Sequence, residues 1–327
     1  MSSGLTPPHH PTTPPLPLQY LDCGFDMFNE AVMANWLTDG KQPNGMVIRL
    51  QGFDRGLFGG NFHTSNALPL PPGLDVMCFS NGHDWVRGLR LALDMAKAGR
   101  VVMMVDSTAL LHRRHIDDGE KDGGMLTAFP SREGSDEGMS LGDVTLYCAP
   151  DGVFAGAAAA GADGKDKGKG KGKGKGEKTD NKPAVQKRPT AAAMKKAPKV
   201  AIVTYGNGVP LTMEAVAEMT GEGSDLQHCE FAIVDVPCLS AVPAGLRSVL
   251  DSEAGSAATH VVFADVCKEG AGQPLASHAV TLHNDGGLDG VFKWATVGAS
   301  RTYNPLGSLV TFLSSDDIHA AVKKVVL

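Results

Sequence analysis

Short runs that are apolar almost without interruption recur along this sequence: MVIRL (46–50), LDVMCFS (74–80), RVVMMVDS (100–107), the start of KVAIVTYGNG (199–208), FAIVDV (231–236) and HVVFAD (260–265). Each is long enough for one buried strand. Where a stretch with apolar residues at helical spacing follows, and then another such run, the order is strand, helix, strand. That order predicts βαβ units and a parallel sheet, so the fold class expected here is α/β. KWATVGA (293–299) reads as a further strand late in the chain.

The helices follow from the same arithmetic. Asp22 to Leu37 sets Phe25, Phe28, Val32 and Trp36 on one stripe that packs inward, with Asp22 placed to cap it. A turn at Pro71–Gly73 precedes the second strand, and His83 to Ala98 turns Trp85, Leu89, Leu93 and Met95 or Ala96 toward a sheet. Residues 209–221 place Leu211, Ala215, Val216 and Met219 on one face, 243–251 form a short helix, and 314–326 close the chain with Ser315 or Asp316 as cap. The expected organisation is a Pro-rich tail (1–18), a first α/β domain (19–150), a low-complexity linker (151–198) and a second α/β domain (199–327), both domains being built on parallel sheets.

Two glycine-rich turns sit where ligands bind in such sheets, just beyond the carboxyl ends of strands. After Met46–Leu50, the glycines Gly52, Gly56, Gly59 and Gly60 bar regular structure and allow close backbone approach to a ligand, and His63 and Asn66 follow. From spacing alone this is either a ligand loop or a surface turn with an incidental histidine. Gly206, Asn207 and Gly208 stand between a strand and a helix, as a phosphate-binding loop does, but without the third glycine of a dinucleotide fingerprint such a turn reads as a simple βα connection. His112 and His115 near Asp117 and Asp118 have metal-ligand chemistry, yet in a polar, glycine-rich stretch they read as a solvated charged loop.

Charge is unevenly spread. Residues 163–196 hold 12 Lys and Arg against 4 Asp and Glu, a net +8, so with −6 overall the rest of the chain carries −14. The run KGKGKGKGKG cannot bury enough apolar surface to offset its ordering entropy, and it repels itself, so it reads as a flexible insert. It has no interleaved aromatics, which sets aside nucleic-acid binding. Cys23, Cys78, Cys148, Cys229, Cys238 and Cys267 lie far apart and mostly in apolar runs, as reduced core thiols do. No apolar run approaches the roughly 20 residues of a membrane helix, and the first 40 residues hold neither the Arg-rich pattern of a mitochondrial presequence nor a secretory core.

In order, QYLDCGFDMFNEA, VIRLQGFDRGLFGGNFHTSN, PGLDVMCFSNGHDWVRGLRLAL, RVVMMVDSTALL, VAIVTYGNGV and VVFADVCKEGAG resemble the beta subunit of thiamine-diphosphate-dependent 2-oxo acid dehydrogenases. The likeness is greatest to the beta half of the branched-chain type and its alpha-beta fused relatives. It implies a pyrimidine-binding domain followed by a transketolase C-terminal domain. His63 stands where the family's active-site histidine follows a double glycine, and this implies proton exchange with a 2-oxo acid adduct; Gly59, Gly60 and Asn66 support that loop, with Tyr20 and Phe25 near the pyrimidine ring. The resemblance further implies thiamine diphosphate shared with an alpha-type partner that holds magnesium, transfer of the acyl group to a lipoyl-bearing transacylase, homodimerisation through the second domain, and a mitochondrial location.

The sequence also departs from that family. The glutamate that activates thiamine belongs upstream of QYLD, and no Asp or Glu precedes Asp22. Cys23 stands where an aromatic is expected, Val236 and Pro237 replace Leu-Arg, Val266 follows Asp265 where an acid is common, and no GDG motif occurs. The expectation is a chain truncated at its N-terminus that works only with an alpha-type partner or a missing N-terminal half. The alternative is a non-catalytic scaffold or regulatory pseudo-subunit of such a complex.

Overall fold

The structure, a computed structural model, describes residues 16–17, 21, 23–52, 71–111, 130, 138–147, 197–250, 258–270, 272–301 and 312–327. Its first sheet holds β1 (Leu16–Pro17), β2 (Met46–Gly52), β3 (Leu74–Cys78) and β4 (Val101–Ser107) in the order β1-β2-β4-β3, with every pairing parallel. β3 and β4 are joined by α2 (Gly82–Lys97), which is the βαβ unit that the apolar pattern predicts. β3 and β4 are buried at every position, as strands covered on both faces must be. The second sheet holds β5 (Thr145–Tyr147), β6 (Lys199–Thr204), β7 (Glu230–Asp235), β8 (His260–Lys268) and β9 (Lys293–Ala299) in the order β5-β7-β6-β8-β9. It is parallel except for β5, which runs antiparallel along β7. Although β5 precedes residue 150, it belongs to this second sheet.

Four helices dress the second sheet: α3 (Gly208–Thr220), α4 (Ala244–Leu250), α5 (Pro274–Asn284) and α6 (Ser315–Val326). Ala215, Val216 and Met219 of α3 are buried on the expected face, with Leu211 packed at its margin. The cap of α6 is one residue earlier than the sequence suggests. Ser314 Oγ accepts from the Asp317 amide at 3.2 Å while Asp317 Oδ2 accepts from the Ser314 amide at 3.0 Å, a capping box worth about 1 kcal/mol. Among the described residues no helix is long and apolar enough to cross a membrane.

The inward stripe of α1 (Phe25–Leu37) needs correction. Phe28 and Val32 are buried, each contributing roughly 1.5–3 kcal/mol, but Trp36 is 57% exposed. Trp36 lies in the last turn, where its Cβ and Cγ stand 3.1 and 3.6 Å from the place a Cβ would take at Gly73. The cap position of α1 falls on Gly24 with no side-chain bond, and Asp22 lies outside the described residues. In α2 the most deeply buried positions are Asp84, Gly88, Ala92, Met95 and Ala96, with Trp85, Leu89 and Leu93 packed around their margin. Small residues bring this helix close to its sheet: a Cβ at Gly88 would run into the ring of Phe79.

One hydrophobic core spans both sheets, with Val76, Cys78 and Val105 of the first packing with Val203, Tyr205, Val236, Leu239 and Phe263 of the second. The backbone stitches the same seam. Cys78 N–H donates to Pro237 O at 2.9 Å, Leu239 N–H donates to Val76 O at 2.9 Å, and Met77 and Cys238 form an antiparallel bridge. Edge strand β3 thereby satisfies its open side with the segment leaving β7, which removes an exposed edge.

Candidate functional site

The register of the first sheet sets Gly52 of β2 beside Ser107 of β4, so both strands end level, and β3 ends at Cys78 opposite Val105. The chain leaves this carboxyl edge after Gly52 into the segment carrying Gly59, Gly60, His63 and Asn66; those four residues, and Tyr20, lie outside the described residues. So do His112, His115, Asp117, Asp118 and the Lys/Gly insert. Phe25, the remaining candidate, is half-buried on α1; its ring centroid is 5.9 Å from that of Phe28, and it packs against the joint core.

The turn Tyr205–Gly208 of the second domain seats on this same edge. Gly206 takes φ +54°, and a Cβ there would stand 2.9 Å from Cys78 Sγ and 3.6 Å from Ser107 Cβ. A Cβ at Gly208 would run into Thr204 Oγ1. Both glycines are therefore explained by close protein packing, which favours the βα-connection reading over a phosphate loop.

Three aspartates end or interrupt apolar strands nearby, and each meets partners from a distant part of the chain. Asp106 of β4 accepts from Arg49 Nε at 2.7 Å and from Trp85 Nε1 at 2.9 Å, while the Arg49 guanidinium lies 4.7 Å from the Trp85 ring centroid. Ion pair, hydrogen bond and cation–π contact thus close one triangle. Asp265 of β8 accepts from Tyr205 Oη at 2.7 Å, the Cys267 amide at 3.0 Å and the Leu275 amide at the start of α5 at 2.8 Å. Burial, the largest influence, lifts its carboxyl to about 6 against these donors. Burial likewise pushes Tyr205 and Cys267 well above their ordinary ranges, with the Asp265 charge adding to it, so both stay protonated.

Asp235, the last residue of β7, bonds across the seam to the segment that follows β3. Ser80 Oγ, just past β3, donates to Asp235 Oδ2, and Tyr147 Oη lies 3.2 Å from the same Ser80 oxygen. Asn81 Nδ2 donates to Tyr147 Oη and to Asp84 Oδ2, both at 2.9 Å, and Thr145 Oγ1 donates to Asp84 Oδ2 at 3.0 Å. Burial lifts Asp235 to about 8; the Ser80 hydroxyl opposes this and the Asp84 charge reinforces it. Asp84 is held below its ordinary value. Burial is the largest single influence and pushes it up, but it is outweighed by the hydrogen bonds from Asn81, Thr145 and His83 and by the Arg87 charge.

Among the described residues the site therefore contains buried, hydrogen-bonded acids and hydroxyls. Among the described residues no group of three or more His, Cys, Asp and Glu is placed to hold a metal ion, and the described cysteines are free thiols, four of them buried. The sequence reading did not single out Ser80, Asn81, Tyr147, Asp235 or the Tyr205–Asp265 pair. A signal was present: VVMMVDS, FAIVDV and VVFADV each carry an aspartate inside an apolar run, and a buried acid must find donors.

No protein family's profile matches this sequence, and no curated protein matches it. Among solved structures, a transketolase variant from Pichia stipitis in complex with xylulose 5-phosphate is similar over 96% of this chain and 33% of its own, with 10% identity and a TM-score of 0.48. Transketolase from Leishmania mexicana is similar over the same shares, with 12% identity and a TM-score of 0.44. For 2-oxoglutarate:ferredoxin oxidoreductase from Magnetococcus marinus, with 2-oxoglutarate, coenzyme A and succinyl-CoA bound, the shares are 92% and 50%, the identity 13% and the TM-score 0.42. The chain spans about a third of the length of the transketolases. Scores at this level lie below that at which a shared fold follows, so the fold class rests on the chain's own parallel sheets.

Proposed function

We propose that this chain is the beta-type component of a thiamine-diphosphate-dependent 2-oxo acid dehydrogenase, working with an alpha-type partner in oxidative decarboxylation and acyl transfer to a lipoyl group. The observation that supports it is positional. β2 ends at Gly52, level with Ser107 and seven residues before GGNFH in sequence, and the Gly206 turn of the second domain seats against Cys78 and Ser107 at that edge. That is the place where α/β sheets bind ligands.

The described residues do not complete a cofactor site. Two described acids near that edge are engaged within the protein, Asp106 by Arg49 and Trp85 and Asp235 by Ser80. The cofactor's activating acid and its metal ligands are therefore assigned to the partner. In this reading His63 holds and releases a proton on the 2-oxo acid side of the site, and a mitochondrial location and dimerisation through the second domain follow from the family.

The test is turnover of a series of 2-oxo acids by the full chain mixed with an alpha-type subunit, thiamine diphosphate and magnesium. His63→Ala should lower turnover by about 10²–10⁴-fold. A second reading, a non-catalytic pseudo-subunit, is favoured by the internal engagement of Asp106 and Asp235. It predicts no turnover in any mixture and no effect of His63→Ala.

A further inference from the structure

The seam between the two sheets holds a carboxyl group that nothing in the proposed reaction uses. Asp235 is 2% exposed, and Ser80 Oγ, 155 residues away in sequence, donates to its Oδ2. Its other oxygen, Oδ1, is buried without a hydrogen-bond partner among the described residues. The groups that surround it can be named among the described residues. From α2 come Asp84, paired with Arg87 at 3.1 Å and with His83 Nδ1 at 3.4 Å, and from β5 comes Tyr147. The helices on this face of the second sheet bring Glu214 and Glu218 on α3 and His319, Lys323 and Lys324 on α6; His319 and Lys323 turn to Glu218 and Asp225. Among the described residues no cation is bonded to Asp235, and the charge of Asp84, of like sign, acts on it.

We propose that Asp235 is a proton-dependent latch: the seam closes on the neutral carboxyl, and opening releases its proton. A neutral carboxyl fits the surroundings, because it accepts from or donates to the Ser80 hydroxyl at no Coulomb cost. A carboxylate there would be desolvated, would keep a single hydroxyl donor and would face Asp84. Opening the seam separates Ser80 from Asp235 and breaks the Cys78–Pro237 and Leu239–Val76 backbone bonds, exposing the acid to water.

The sign follows from linkage. The closed form binds the proton until about pH 8, and the opened form, with an ordinary carboxyl, loses it near 3.8. The latch is therefore fully engaged below the lower value and weakens as pH rises to the upper one. Across that window the opening constant rises roughly tenfold per pH unit, and it levels off above.

Amide hydrogen exchange on the full chain, read at Cys78 and Leu239 and corrected for the intrinsic pH dependence of exchange, tests this. Protection of both amides should fall about tenfold per unit between about pH 6 and 8 in the native protein. It should stay level across the same range in Asp235→Asn, which keeps the shape and an acceptor for Ser80 but cannot titrate. Ser80→Ala removes the one group that holds the carboxyl down, so its decline should continue beyond the pH at which the native curve levels. Protection with the same pH profile in the native protein and Asp235→Asn overturns the proposal. Should Asp235→Asn not fold, a Ser80→Ala curve superimposed on the native one overturns it equally.

Discussion

Asp235 and Asp265 lie on β7 and β8, the strands that flank β6, and both are buried to within 2% of complete exclusion from solvent. Their surroundings differ. Asp265 is met by a phenol and by backbone amides of Cys267 and Leu275, whereas Asp235 has one hydroxyl and a like charge nearby. Burial pushes both upward, and donors decide how far: to about 6 for Asp265 and about 8 for Asp235. The first acid ties β8 to the start of α5 and organises one domain from within. The second sits between two domains and holds a proton in place of a counter-charge.

Truncation breaks or upholds this contrast most directly. Asp265→Ala removes the carboxylate to which the Tyr205 hydroxyl and the buried Cys267 and Leu275 amides donate and should cost about 3–5 kcal/mol in urea denaturation at neutral pH. Asp235→Ala strands only the Ser80 hydroxyl, which keeps Tyr147 within reach, and should cost about 1–2 kcal/mol. Equal losses would erase the distinction. Tyr205→Phe, at about 1–2 kcal/mol, sharpens it instead: with its phenol donor gone, Asp265 should titrate higher, toward Asp235, as read by carbon-13 NMR of the carboxyl.

His278 on α5 supplies the opposite sign. It is buried, faces Cys238 O at 3.3 Å, and burial lowers it to about 4 despite that bond. A base depressed in the folded state contributes stability that is present above the unfolded value near 6.5 and is lost as pH falls toward 4. His278→Gln should flatten that acid limb, by at most about 1.4 kcal/mol per pH unit, and leave the rise in seam opening above pH 6 unchanged.

The longer strands of both domains were legible because a strand buried on both faces reads as a nearly continuous apolar run, as Val101–Val105 of β4 and Val200–Val203 of β6 do. Two elements and one side chain's orientation were harder to see. β5 is only three residues long and takes its structure from pairing with β7, not from its own pattern. α5 escaped because His278 stands on the inward face among Leu275, Ala279 and Leu282, although the spacing and the first-turn Pro274 both mark a helix. Trp36 had the right spacing to face inward, but periodicity does not show how far along a helix the burial extends. The seam was beyond reach for a different reason: Ser80, Tyr147 and Asp235 meet only after both sheets exist, and no local pattern links residues 67 and 155 apart.

Whether the carboxyl edge of the first sheet is half of a shared cofactor site is tested most directly by calorimetric titration of the folded, full chain with thiamine diphosphate and magnesium, alone and with an alpha-type subunit. The account predicts heat of binding in the mixture only, with His63→Ala losing turnover while keeping that affinity. Binding by the chain alone, or in neither sample, would contradict it.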